Sequence, residues 1–235
     1  MRLDKMLSNL GYGSRKEIRK MAKKGEIIVN GKGITKADMH IDTENDRVYV
    51  NGEKAVYREY IYIMLNKPQG VVSATSDYRD ETVIDLIDES FWAFEPFPVG
   101  RLDKDTEGLL LLTNDGKLSH NLLSPKKHVD KTYYVEVCDE LKEEDVIKFS
   151  KGVTIDGDYK CLPAELEILE SGEISKAYVT IREGKFHQIK KMMLAIGNEV
   201  VYLKRMQMGS LKLDEHLELG EYRELSEEEL ELLKG

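Results

Sequence analysis

Cysteine and histidine are the residue types that this chain has little of. Among 235 residues there are two cysteines, Cys138 and Cys161, and five histidines. The cysteines have neither the spacing of a disulfide framework nor that of a metal site, which is typical of a reducing compartment. The histidines are scattered along the chain and form no ligand cluster. We therefore expect no metal site.

A long apolar segment is also absent. No run approaches the roughly 18 apolar residues that a membrane-spanning helix needs, and the basic, amphipathic N-terminus lacks a signal-peptide core. We therefore expect a cytoplasmic protein without membrane contacts. With 41% apolar and 34% charged residues, the composition is ordinary for a globular protein. The length allows one large domain, or a small domain and a medium one.

The net charge of −9 disfavours binding to a polyanion, but the charge is unevenly distributed. Residues 1–36 contain ten Lys or Arg and three acidic residues, whereas residues 214–235 contain nine acidic residues and two basic ones. Exposed charges act over about 8–10 Å at ordinary salt, so the local field decides whether phosphate is attracted. The basic N-terminal segment is compatible with nucleic-acid binding. The acidic C-terminal segment is interpreted as a solvated helix end.

The N-terminal segment, residues 1–58, is predicted to form a small α/β domain, here called the head. Ser14 and Glu17 have the spacing of a capping box that begins a helix, and Gly25 is a natural end for it. The exposed face of this helix is almost entirely basic. A solvated face normally mixes both signs of charge, so the pattern favours a phosphate-binding surface over a merely solvated one. The candidate contact residues of the head are Arg2, Lys5, Arg15, Lys16, Arg19, Lys20 and Lys23.

The remaining chain, residues 59–235, is predicted to form a larger body. Residues 109–112 are four leucines bounded by glycine and by an Asn-Asp-Gly turn, which predicts a strand buried on both faces. Asp103 lies in the polar loop before this strand, where a rigid element can hold a nucleophilic carboxylate. Aspartate also caps backbone amides in ordinary turns. Arg101 has three possible roles. It could contact a phosphate, fill the space that an extruded base vacates, or form an ion pair that stabilises the loop.

Two further segments place aromatic and basic side chains in the body. Residues 131–137 alternate like a strand with one wet face, so Tyr133 is expected to point inward, as a core residue or toward a site. Residues 178–197 predict a strand, a tight turn and a helix closed by a glycine. Lys190 lies at the edge of the buried face of that helix, although such lysines are commonly just exposed cations. His187 is interpreted as a buried structural histidine and is left out of the catalytic set.

Several of these segments resemble motifs of one protein family. The string Gly-Arg-Leu-Asp, followed by two residues, Thr, one residue and Gly-Leu, resembles the nucleophile motif of RNA pseudouridine synthases. Asn-Lys-Pro at residues 66–68, Lys-x-Tyr at 131–133 and Glu-Gly-Lys-Phe-His-Gln-Ile-Lys at 183–190 resemble further motifs of that family. The N-terminal segment resembles the S4 RNA-binding domain, from Arg-Leu-Asp-Lys at residues 2–5 to Val-Asn-Gly at residues 29–31. This order of domains is typical of the RsuA branch of the family.

The resemblance implies a role for each candidate in the body. Asp103 would be the catalytic carboxylate, and Tyr133 would stack on the target base. Lys190 would be the active-site basic residue, at a position where many relatives have arginine. Arg101 joins the candidate RNA contacts. No metal and no cofactor are implied, because the isomerisation moves no net electrons.

The resemblance also implies a fold and a function. The fold would be α+β, with a small α/β RNA-binding head followed by a larger catalytic domain built on a mixed or antiparallel sheet. The function would be isomerisation of a specific uridine of ribosomal RNA, uridine 516 of 16S rRNA in the RsuA branch, by a monomer. Its partner would be 16S rRNA or a small-subunit assembly particle. The carboxylate would attack the anomeric carbon or help to remove a ribose proton, giving a glycal.

Three alternatives to this function stay open. The first is a large-subunit (23S) rRNA pseudouridine synthase of the same family. The second is a non-catalytic rRNA-binding factor of ribosome assembly, and the third is an unrelated glycoside hydrolase. The intact Asp103, Tyr133 and Lys190 argue against the second, and the lack of a convincing partner acid argues against the third.

Overall fold

The computed structural model describes residues 1–124 and 127–234, and it divides into two compact units. The first unit consists of Met1–Ile61 and Asp88–Pro96, and the second of Tyr62–Ile87 and the chain from Phe97 onward. The sequence predicted one boundary, between residues 58 and 59. The added segment contains a 3₁₀ helix, Glu89–Phe94, which packs within the first unit: Ala93 lies 3.0 Å from where a Cβ on Gly11 would stand. A contact so distant along the chain leaves no local sequence signal.

The first unit combines two helices with a small antiparallel sheet. The helices begin the chain, and the strands are ordered β2-β1-β3-β4. The elements are α1 (Leu3–Asn9), α2 (Arg15–Lys23), β1 (Ile27–Val29), β2 (Lys32–Gly33), β3 (Val48–Val50) and β4 (Glu53–Ala55). The predicted capping box is confirmed, because Glu17 N–H donates to the Ser14 hydroxyl and the Glu17 carboxylate accepts from Ser14 N–H. The buried sides of the helices, including Leu7 and Ile18, form one core with the sheet.

The second unit is built on a large mixed sheet with helices packed against it. Its strands are β5 (Tyr62–Lys67), β6 (Phe97–Pro98), β7 (Glu107–Thr113), β8 (Lys131–Cys138), β9 (Thr154–Ile155), β10 (Tyr159–Lys160), β11 (Glu165–Glu170), β12 (Ile174–Ile181), β13 (Val200–Met208), β14 (Leu211–Lys212) and β15 (Tyr222–Glu224). Its helices are α3 (Gly116–Leu123), α4 (Glu143–Lys151), α5 (Gln188–Ala195) and α6 (Glu227–Lys234). In the described part of the chain, no helix is long and apolar enough to cross a bilayer.

The main sheet runs in the order β11-β12-β8-β13-β7-β5-β15. Its strands pair antiparallel except β7 and β13, which are parallel. All seven residues of β7 are buried, so the predicted strand with two buried faces is confirmed. Strand β8 alternates buried and half-buried residues, as the period-2 pattern predicted. The loop that carries Asp103 therefore enters the sheet at its most rigid strand.

One glycine permits the close approach of β7 and β13. Gly108 lies opposite Arg205 in the parallel pairing, with a φ of +99°. A Cβ at this position would come within 2.3 Å of the Arg205 carbonyl oxygen. Because real side chains never pack so closely, the glycine of the motif is required by strand packing.

Candidate active site

Short hydrogen bonds hold the backbone of the loop before β7. The Ser73 hydroxyl donates to the carbonyl of Leu102 at 2.9 Å and accepts from its N–H at 3.0 Å. The Thr106 N–H donates to the Asp103 carbonyl at 3.0 Å. These contacts fix the backbone on both sides of the Asp103 side chain, so the carboxylate has little freedom to move with the loop.

A buried ammonium completes the support of this loop. Lys67, at the end of β5, is fully buried, and its Nζ donates to the carbonyls of Pro68 at 2.9 Å, Thr106 at 3.0 Å and Asp103 at 3.2 Å. Burial lowers the pKa of Lys67 to about 8, although the charges of nearby carboxylates oppose this shift. Sequence analysis interpreted the Asn-Lys-Pro motif only through resemblance. The structure shows a lysine that ties the candidate nucleophile's backbone to the sheet.

The Asp103 carboxylate lies beside two groups from the region of helix α5. Its Oδ2 is 3.5 Å from Lys190 Nζ, and its Oδ1 is 3.6 Å from His187 Nε2. The side chain is 27% exposed, which leaves it accessible from one direction. A half-buried carboxylate next to a cation is suited to attack at an electrophilic carbon.

Lys190 is shared between two carboxylates of the same loop. Its Nζ donates to both oxygens of Asp105, at 2.6 and 2.8 Å, which is closer than its approach to Asp103. This hydrogen bond lowers the pKa of Asp105. Asp105 was not among the predicted site residues, although it is the nearest carboxylate to Lys190. It lies only two residues from Asp103, but which carboxylate binds the lysine depends on a contact between residues 85 positions apart.

Tyr133 points inward from β8, as predicted, and is 8% exposed. It lines the same pocket of about 90 Å³ as Asp103, His187 and Lys190. This pocket adjoins a cleft of about 760 Å³ to which Asp103 and Tyr133 also contribute. The three predicted catalytic residues, from β8, α5 and the loop before β7, are therefore brought together.

His187 differs from its predicted environment. Its side chain is 40% exposed rather than buried, and its ring stacks on that of Phe186 with centroids 3.7 Å apart. The residue precedes α5 with a φ of +54°, a left-handed conformation that is uncommon for non-glycine residues. The turn after β12 therefore ends in a left-handed residue, and it directs the His187 ring toward Asp103. The interpretation as a buried structural histidine is wrong.

Basic side chains line both the mouth and the floor of the cleft. Arg101 and Lys185 are exposed at its mouth. Among the described residues, no carboxylate forms an ion pair with Arg101, which argues against the ion-pair interpretation. Lys131 and Arg205 are buried in the floor. Sequence analysis missed Arg205, because an arginine inside an alternating strand normally points to solvent.

The predicted contact residues of the head share an unpredicted partner. Asp4 is buried and binds the guanidinium groups of Arg2 at 2.7 Å and Arg19 at 3.1 Å, and these bonds, that of Arg2 first, lower its pKa. The exposed, unneutralised members of the set are Lys5, Arg15, Lys16, Lys20 and Lys23. The head therefore has an exposed basic face. Arg2 and Arg19 contribute less to it, because their ion pairs with Asp4 hold α1 to α2.

Within the described residues, no group of three His, Cys, Asp or Glu side chains could hold a metal ion. The site brings together several chemical groups from its own side chains. These are a fixed carboxylate, an adjacent cation, an aromatic ring and a basic cleft large enough for a nucleotide.

Comparison with known proteins agrees with this chemistry. The family described as RNA pseudouridylate synthase matches residues 61–195, and the S4 domain matches residues 1–48. A solved structure described as "Crystal structure of pseudouridylate synthase" superposes with a TM-score of 0.70 at 38% identity, and the match covers 99% of each chain.

Several relatives match over nearly their whole length. The chain is 56% identical to an "Uncharacterized RNA pseudouridine synthase" of Bacillus subtilis, over 99% of this chain and 98% of that protein. It is 40% identical to "Ribosomal small subunit pseudouridine synthase A" of Vibrio cholerae, over 98% of each. It is 36% identical to "Ribosomal large subunit pseudouridine synthase B" of Bacillus subtilis, over 100% of this chain and 96% of that protein. The chain belongs to the RNA pseudouridine synthase family, in the group that carries an N-terminal S4 domain.

Proposed function

We propose that this protein isomerises one uridine of ribosomal RNA to pseudouridine, and that Asp103 is its catalytic carboxylate. The observation that carries the proposal is the position of Asp103, beside Lys190 and in one pocket with Tyr133. In this reaction the bond between uracil N1 and the anomeric carbon of ribose breaks. The base then turns, and its carbon 5 bonds to the anomeric carbon. Asp103, Lys190 and Tyr133 belong to the same chain, and we propose that the protein acts as a monomer.

Each of the three residues has a distinct task in this proposal. Asp103 attacks the anomeric carbon or removes a ribose proton. Lys190 approaches that carboxylate at 3.5 Å and restrains its rotamer. Tyr133 offers a flat ring to the extruded base, and base–aromatic stacking contributes about 1–3 kcal/mol, which offsets much of the cost of unstacking.

The basic head is proposed to hold the RNA. Its exposed lysines and Arg15 lie on one side of α2, in the segment matched by the S4 domain. Phosphate contacts of this kind fix register without reading sequence. Arg101 and Lys185 at the mouth of the cleft would contact the phosphates next to the target nucleotide. A ribosomal substrate would also place the protein in the cytoplasm.

The proposed target is uridine 516 of 16S rRNA. Support comes from the 40% identity to a relative named for the small subunit, against 36% to one named for the large subunit. Free 16S rRNA and a small-subunit assembly particle are both candidate substrates.

The test uses 16S and 23S rRNA transcripts with tritium at carbon 5 of uracil. Tritium is released as the new carbon–carbon bond replaces the carbon–hydrogen bond, so release reports the isomerisation directly. We expect release from 16S rRNA or its assembly particle, at one position that reverse transcription after carbodiimide labelling identifies as uridine 516. Release from 23S rRNA only would move the target to the large subunit. RNA binding without release would favour the assembly factor and overturn the enzyme.

A further inference from the structure

The floor of the cleft contains a cation that the proposed mechanism has not used. Arg205, in β13, is 2% exposed and lines the cleft together with Asp103 and Tyr133. Its Nε donates to the Leu109 carbonyl at 2.7 Å. In the described part of the chain its Nη2 has no hydrogen-bond partner, and no carboxylate forms an ion pair with its guanidinium. A buried cation without a counter-ion is costly for a fold, which indicates that it serves a ligand.

The backbone is arranged to seat this residue. Gly108 on β7 leaves the space that the Arg205 backbone occupies, since a Cβ there would meet the Arg205 carbonyl at 2.3 Å. Arg205 is also the register partner of Tyr133 on β8. Directly paired residues of neighbouring strands point to the same face of a sheet, so the guanidinium and the phenol ring share one side.

A second cation adjoins the first. Lys131 is 8% exposed and lines the same cleft, and its Nζ donates to the Val129 carbonyl at 3.0 Å. Burial lowers the pKa of Lys131, and the positive charge of Arg205 lowers it further. These two buried cations lie near each other in the floor of the cleft and repel each other. Together they form a subsite for a negatively charged group.

The depth of this subsite indicates which negatively charged part of the RNA binds there. The phosphates of an extruded nucleotide remain with the strand at the mouth of the cleft, where Arg101 and Lys185 are exposed. The base is the part that enters beside Tyr133. Uracil is neutral in the substrate, but it becomes an anion when the bond between the anomeric carbon and N1 breaks, because the electron pair stays on N1 and spreads to O2 and O4.

We propose that Arg205, with Lys131 beside it, stabilises the uracil anion of the reaction. This rests on the proposed function. As the bond to N1 breaks, the anomeric carbon bonds to an Asp103 oxygen, or Asp103 takes the proton of ribose carbon 2. Carbon 5 of the turned uracil then bonds to the anomeric carbon while the bond to the Asp103 oxygen breaks or, on the other route, while Asp103 returns the proton to ribose carbon 2. Carbon 5 finally loses its hydrogen as a proton, and N1 gains one. Preorganised donors aimed at developing charge are most effective where they are buried, as Arg205 and Lys131 are.

The test compares Arg205→Met and Arg205→Lys with the wild type, by single-turnover tritium release and by RNA binding. We expect Arg205→Met to lose about 100-fold or more in rate while RNA affinity is nearly unchanged, because the charge exists only after bond cleavage. Arg205→Lys should recover part of the rate. Thermal melting should show that Arg205→Met folds at least as stably as the wild type, since a buried unpaired charge is removed.

A second substrate separates anion stabilisation from a structural role. In RNA with 5-fluorouridine at the target, fluorine withdraws electrons and stabilises the uracil anion, so the deficit of Arg205→Met should shrink. Consumption of 5-fluorouridine is followed by nuclease digestion and chromatography. Lys131→Met provides an independent variant, with a smaller deficit expected to shrink in the same way.

The possible failures are distinguishable. An equal deficit on both RNAs, or an Arg205→Met rate within about threefold of the wild type, overturns the role of Arg205 but leaves the proposed function standing. Absence of tritium release by the wild type overturns both.

Discussion

At the scale of single residues, two lysines contact different parts of Asp103. Lys67 binds its backbone carbonyl from the interior, and Lys190 approaches its carboxylate from the cleft. The first lysine is fully buried and the second is half-buried, so they respond differently to pH and to substitution.

Lys67→Met should change how stability depends on pH. The pKa of Lys67 in the folded protein is about 8, below its ordinary 10.5, so the folded state releases this proton before the unfolded state does. The wild type should therefore gain stability relative to Lys67→Met as pH rises from 8 to 10.5, by about 3 kcal/mol at most. Urea unfolding at several pH values measures the difference. Parallel stability curves for the two proteins would contradict the assigned titration.

Loss of the Lys67 proton should also affect catalysis. The neutral amine has one donor fewer for the three loop carbonyls, so kcat should fall above pH 8 while folding stability rises. A wild-type kcat that is flat to pH 10 would show that the ammonium is not needed to hold the loop.

Lys190→Met should slow the reaction with little effect on RNA binding. Without the ammonium, the carboxylates of Asp103 and Asp105 lose the cation that they share, and we expect kcat to fall by about 100-fold. Lys190→Arg keeps the charge and should retain most of the rate. Equal losses in both variants would indicate that shape at position 190 matters more than charge.

At the scale of elements, the site depends on the parallel contact of β7 with β13. This pairing brings the motif glycine against the backbone that carries Arg205, and it connects two segments almost 100 residues apart. A change at this contact should disturb the fold and the cleft together.

Gly108→Ala should therefore destabilise the protein by about 3 kcal/mol, because a Cβ would force the strands apart and would occupy a left-handed conformation. Gly116→Ala is the matched control. Gly116 lies in the first turn of α3 with no atom within 4 Å of an added Cβ, so alanine should be neutral or slightly stabilising there. Chemical denaturation compares them. Equal stability of the two variants would contradict the packing argument.

Local sequence patterns predicted the elements better than the contacts between them. The capping box at Ser14, the doubly buried leucine strand and the inward Tyr133 follow from spacing alone, because those patterns are local. The loop support by Lys67, the bond from Lys190 to Asp105 and the buried Arg205 could not be predicted in this way. Each depends on side chains joined by tertiary packing, and the resemblance to a family indicated the motifs without their contacts.

At the scale of the whole molecule, charge is separated along the chain. A protein with net charge −9 keeps ten of its basic residues within residues 1–36, and several of the exposed ones, including Lys16, Lys20 and Lys23, lie on α2 of the first unit. Affinity for RNA should therefore depend on that helix rather than on the mean charge.

Replacing Lys16, Lys20 and Lys23 by glutamine should weaken RNA binding and its salt dependence. Loss of three phosphate contacts is expected to reduce the slope of log affinity against log salt by about 2. The matched control replaces three exposed lysines of the second unit, Lys117, Lys151 and Lys212, for the same change in charge. Filter binding at several salt concentrations measures the slopes. Identical slopes for the two triple variants would contradict an RNA-binding role for α2.

The most direct test of the central claim compares Asp103→Asn with Asp105→Asn, the same substitution two residues apart in one loop. Single-turnover tritium release from the target RNA is measured for both, with circular dichroism to verify folding. We predict that Asp103→Asn loses at least about 10⁴-fold in rate, as removal of a nucleophile does, whereas Asp105→Asn stays within about tenfold of the wild type. Release by folded Asp103→Asn at the wild-type rate would contradict the account.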